Sequence, residues 1–181
     1  FVKMLFSEKN LDSDMKVGFK GNPNIGSVVL NQFADSQQYK DFSNSFEDGD
    51  RIFIISSIFG GTGASGFPLL LKTLRSDKSS QSWKFVSQAK IGAVTVLPYF
   101  NVTEDENSGV DSSTFISKTK SALAYYKKNI SDNSSINALY YLGDSVTATY
   151  ENHDGGVKQK NNAHLIELAA AMAILDFASQ P

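Results

Sequence analysis

The richest concentration of residues able to hold a ligand is GGTGASG, 60–66. It stands between the apolar run RIFIISSIF, 51–59, and FPLLLKTLR, 67–75. A helix that starts after such a turn offers unpaired N–H groups and about half a positive charge. Glycines let that backbone come within hydrogen-bond reach of an anion, and they let residues adopt positive φ. Thr62 and Ser65 add hydroxyl donors. Anion binding, phosphate above all, is therefore the expected chemistry of this segment.

Other chemistries are poorly served. There is no Cys, so thiolate metal sites, Cys nucleophiles and disulfide scaffolds are excluded. His153 and His164 have no metal-ligand spacing around them. Glu104, Asp105 and Glu106 with Asp111 lack the calcium-loop spacing and read as a solvated loop. Ser56 and Ser57 lack a His-and-acid pattern that would make either a nucleophile. Lys118, Lys120, Lys127 and Lys128 read as the solvated face of one helix. Lys+Arg total 17 and Asp+Glu 19, a net charge of −2, which argues against a dedicated nucleic-acid binder. No apolar run approaches the roughly 18 residues needed to cross a bilayer, so membrane insertion is not expected. The lack of Cys fits a reducing compartment, no signal peptide is visible, and a cytoplasmic location is the expectation. The three Asn-X-Ser/Thr sequons, at Asn101, Asn129 and Asn133, then read as chance matches.

The elements that must position the glycine segment follow from hydrophobic spacing. From 25 to 46 the apolar residues are spaced helically, after a Gly-Asn-Pro turn at Gly21, Asn22 and Pro23. Residues 51–59 read as a strand buried on both faces, 60–66 as a loop, and 67–75 as a helix with Pro68 in its first turn. Residues 76–88 read as a polar loop or frayed helix end, 91–100 as a second strand, and 103–113 as an acidic loop. A helix over 115–130, a strand and turn over 136–145, and a helix from Asn162 to about Ser179 complete the chain. This alternation predicts an α/β fold with a mostly parallel, Rossmann-like sheet and helices on both faces.

Two phosphate-binding architectures compete for the glycine segment. Gly60, Gly63 and Gly66 satisfy a G-x-x-G-x-x-G spacing close to some NAD(P)-binding Rossmann oxidoreductases. That fold places its loop after the first strand and an acid at the end of the next, and both expectations fail here. A Walker A loop is excluded because no Gly-Lys-Ser/Thr follows. In the second architecture, five segments agree in order. GGTGASG resembles the phosphate loop G-G-G-T-G-[ST]-G of the tubulin/FtsZ family. KVGFKGNPNIG, 16–26, resembles the FtsZ loop that faces the terminal phosphate. IGAVTVLPYF, 91–100, and INALYYLGDS, 136–145, resemble two following strands, and NNAHLIEL, 161–168, resembles the start of the family's central helix.

The resemblance implies a GTP- or GDP-binding protein, with Mg²⁺, that associates with itself into oligomers or filaments. Gly60, Gly61, Thr62, Gly63, Ala64 and Ser65 would surround the phosphates, and Gly21, Asn22 and Pro23 would close over the terminal one. Asn162 would bond the guanine edge, and Glu104 or Asp105 would meet the ribose. The family's first strand, first phosphate loop and catalytic loop have no counterpart here, so the 181 residues are expected to be part of one such domain, inactive alone. Phe59 and Ser65 replace family glycines. They favour an alternative in which a degenerate module keeps the fold and an interaction surface without binding nucleotide.

Overall fold

The structure is a computed structural model that describes residues 4, 6–12, 15–16, 18–76, 83–105, 110–131, 134–153 and 156–181. Its order is α1 (Glu8–Leu11), α2 (Pro23–Leu30), α3 (Gln37–Asn44), β1 (Arg51–Ser57), α4 (Gly61–Ser76) and α5 (Trp83–Gln88). There follow β2 (Lys90–Val96), β3 (Phe100–Val102), α6 (Phe115–Tyr126), β4 (Ala138–Leu142), β5 (Ala148–Tyr150) and α7 (Leu165–Ser179). The main sheet has the order β1-β2-β4 and is parallel throughout, in register from Arg51↔Lys90 to Ser57↔Val96 and from Gly92↔Ala138 to Val96↔Leu142. β3 and β5 form a second, two-stranded parallel ladder. The protein is thus a mixed α/β domain with a mostly parallel sheet flanked by helices.

Helices cover both faces of the main sheet. On one face Ile54, Ile91 and Ala93 join the core made by Phe67, Leu71 and Leu74 of α4 with Tyr126 and Ile130. On the other, Phe177 of α7 lies over Gly92, where an added Cβ would come within 2.8 Å of both Phe177 and Phe53. Gly92 therefore sets how closely α7 can approach the sheet. Arg51 donates to the carbonyls of Phe177 at 3.0 Å and Gln180 at 2.7 Å, satisfying acceptors that a helix end leaves without partners.

Several boundaries differ from those predicted. β1 buries Ile54 in the core beneath α4, while Ile55 on its opposite face is 57% exposed, so the strand is not buried on both faces along its length. The helical pattern of 25–46 is broken, with a 3₁₀ turn at Phe33–Asp35 between α2 and α3. Ser36 restarts the helix by accepting the Tyr39 N–H at 3.2 Å. Part of the polar stretch 76–88 is helical, because Val86 is apolar enough to be buried against the core. The second strand ends at Val96, and α6 passes into a π-helical turn at Lys127–Ser131. No helix among the described residues is long and apolar enough to cross a membrane.

Candidate functional site

The site forms where β1 delivers the chain into α4. The glycine segment is not an open loop there: α4 begins at Gly61, and Pro68 lies inside the helix, not in its first turn. No residue of 59–66 has positive φ; such backbone occurs at Gly18, Lys20 and Gly21 in the preceding turn. The α4 glycines serve close approach instead. A Cβ on Gly63 would stand 2.4 Å from the Ser57 carbonyl oxygen, and one on Gly61 would stand 2.8 Å from the Asn22 nitrogen. Phe59 needs no special backbone either. Its buried ring packs on Phe115 at 4.9 Å and on Phe100 at 5.8 Å.

The turn before α2 lies against this helix start. The Phe19 N–H donates to Thr62 Oγ1 at 3.4 Å, and the Asn22 N–H donates to the Phe19 carbonyl at 2.8 Å. Gly26 of α2 meets Ser65 so closely that a Cβ would stand 2.2 Å from its Oγ. Gly21, Asn22 and Pro23 thereby face Gly60, Ala64 and Ser65 across one cavity of 640 Å³. Its third wall is α6, which contributes Lys118, Tyr125 and Tyr126. Among its described lining residues are one Lys and no Asp or Glu, in a chain with more acids than bases. With the positive end of α4 beside it, the cavity favours an anion.

The expected binding residues divide between locations. Gly60, Ala64, Ser65, Gly21, Asn22 and Pro23 line the cavity. Thr62 and Gly63 line a smaller, apolar depression of 270 Å³ beside Phe33 and Ile55. Gly61 is buried beneath the Phe19–Asn22 turn. The buried Ser65 hydroxyl donates within the helix to the Gly61 carbonyl at 2.7 Å, which leaves it an acceptor towards any ligand. Asn162, Glu104 and Asp105 are exposed, and none of them lines the cavity. Glu106 lies outside the described residues.

The strongest residue missed by sequence reasoning is Lys118. Its half-buried ammonium has a pKa lowered by desolvation, with Asp111 opposing the shift. Asp111 is turned elsewhere, accepting from the Ser113 N–H at 2.8 Å and its hydroxyl at 2.7 Å. Only the tertiary packing of α6 on α4 separates Lys118 from the other lysines of its helix. Neither histidine lines the cavity. His164 caps α7, its Nδ1 accepting the Ile166 N–H at 3.2 Å while its Nε2 lies 3.6 Å from Asp144. His153 Nε2 lies 3.7 Å from Glu151. Among the described residues there is no cluster of three or more His, Asp or Glu able to hold a metal.

The chain matches no protein-family model, no curated protein and no solved structure.

Proposed function

We propose that this protein binds a guanine nucleotide in the manner of the tubulin/FtsZ family and associates with itself into oligomers or filaments. The observation that carries this reading is convergence. Two glycine-bearing segments far apart in sequence, 60–66 expected from its residues to hold phosphate and Gly21–Pro23 given that role by the resemblance, line a single cavity, without an acid among its described lining residues, at the carboxyl end of a parallel strand. Ligands of open α/β sheets bind at such strand ends. The guanine base and the filament come from the resemblance of the five ordered segments. Mg²⁺ would fit as a companion of the phosphates, held by their oxygens and its own waters, because the described lining offers it no carboxylate.

The same lining argues for binding without turnover. Among the described residues neither a carboxylate nor a His lines the cavity to orient a water. The 181-residue chain is expected to bind GTP and GDP in calorimetry and to release inorganic phosphate no faster than a buffer blank. Tight NADPH binding without GTP binding would sink the reading. Light scattering after GTP addition tests association separately. A second reading, the non-binding module, draws on the closed packing at Gly61 and Gly63 and on the inward-turned Ser65 hydroxyl. It predicts no heat with either nucleotide.

A further inference from the structure

The cavity has a polar end and an aromatic end, and both belong to α6. Lys118 and Tyr125 line it together and are seven residues apart, close to two helical turns. That places them on one face, separated by about 10 Å along the axis. The separation is on the scale of the distance from the outer phosphate of a nucleoside diphosphate to its base. At one end Gly60 marks the start of α4, with its unpaired N–H groups. At the other, Pro68 and Leu69 give an apolar floor beside Tyr125, which is 52% exposed. The volume of 640 Å³ lies within the range of about 300–1,000 Å³ usual for small-molecule sites.

The segments expected to hold the base and ribose contribute nothing here. Asn162, Glu104 and Asp105 are all absent from the lining. We infer that α6 supplies the side chains that grip the nucleotide, Lys118 bonding the phosphates and Tyr125 stacking on the base. The proposal rests on the nucleotide reading above and departs from the orientation its resemblance implied.

Several features agree with it. Lys118 is a half-buried cation that makes no salt bridge among the described residues, with Asp111 acting on it only electrostatically, so an anion between it and the start of α4 would offset its desolvation. The hydroxyls of Ser117 and Ser121 already donate within α6, to Thr114 and Ser117. They leave Lys118 as the side-chain donor on that wall best placed for an anion. Stacking on Tyr125 tolerates any base, which makes base selectivity modest.

Calorimetry with the full 181-residue chain, using GTP, GDP, inorganic pyrophosphate and guanosine as probes, tests this. K118Q should weaken GTP and pyrophosphate alike, by about 10–100-fold. Y125A should weaken GTP and guanosine by about 5–100-fold and leave pyrophosphate unchanged, while Y125F binds as the parent does. N162A should bind GTP normally. Thermal melts confirm that each variant folds. If the parent binds GTP but N162A loses it while K118Q and Y125A keep it, the inference is overturned and the nucleotide reading stands. If the parent binds neither GTP nor pyrophosphate, both fall.

Discussion

Pro68 lies within α4 and has no N–H, so the Ala64 carbonyl loses its partner one turn on. Tyr126 supplies the replacement: its hydroxyl donates to the Ala64 carbonyl at 3.2 Å, and its fully buried ring meets Phe67 edge-on at 5.3 Å. Tyr126→Phe keeps the ring and removes the donor. It should cost about 1–2 kcal/mol in urea unfolding. In a Pro68→Ala background, where an amide N–H returns, the same change should cost measurably less. Burial also drives the Tyr126 pKa well above its ordinary value. Above pH 10 the unfolded chain releases that proton before the folded one does, so stability falls as pH rises, by up to about 1.4 kcal/mol per pH unit from this group. The measured slope between pH 9.5 and 11 should be shallower in Tyr126→Phe. The sequence shows Pro68 and Tyr126 plainly, but their relation depends on a helix start that lies several residues earlier than the glycines imply.

At the scale of elements, Arg75 ties three together. It donates to the carbonyls of Ser135 at 2.6 Å, Ser87 at 2.9 Å and Ala89 at 2.8 Å, joining the end of α4 to the approaches of β2 and β4. Desolvation lowers its pKa, yet the guanidinium remains charged under ordinary conditions. Arg75→Met leaves those acceptors unpaired and should lower the urea unfolding free energy by about 2–4 kcal/mol. Arg75→Lys should recover only part of the loss, since one ammonium cannot reproduce the planar fork. The three strands of the main sheet were legible in sequence as apolar runs, and the 115–130 helix because its apolar period is clear, but β3 and β5, three residues each, are too short to show a pattern. The start of α4 was not, because four glycines within 60–66 argue for a loop. Packing decides otherwise: glycine lets α4 lie against β1 and the Phe19–Asn22 turn at distances a side chain forbids.

At the scale of the whole molecule, α7 buries Ile166, Ala173 and Phe177. It also carries Leu165, Leu168, Met172 and Leu175 on a face more than half exposed. Because Leu168 and Met172 are more than half exposed, Leu168→Ser and Met172→Ser should each change folding stability by no more than about 0.5 kcal/mol, read by urea unfolding of dilute protein. A larger loss would mean that the stripe is covered in solution. The sequence by itself determined the α/β alternation, the near-neutral charge, the absence of thiol chemistry and the candidacy of the 60–66 segment, because composition and periodicity are local properties; Gly21–Pro23 became a candidate only through the family resemblance. Only the tertiary structure decided that Gly21–Pro23 face Gly60, Ala64 and Ser65, that Lys118 leaves its lysine cluster to line the same cavity, and that Asn162, Glu104 and Asp105 do not line it. These are facts of long-range packing. They are fixed by which helix faces are buried against the sheet and how closely glycine lets them approach, and no window of sequence contains both partners.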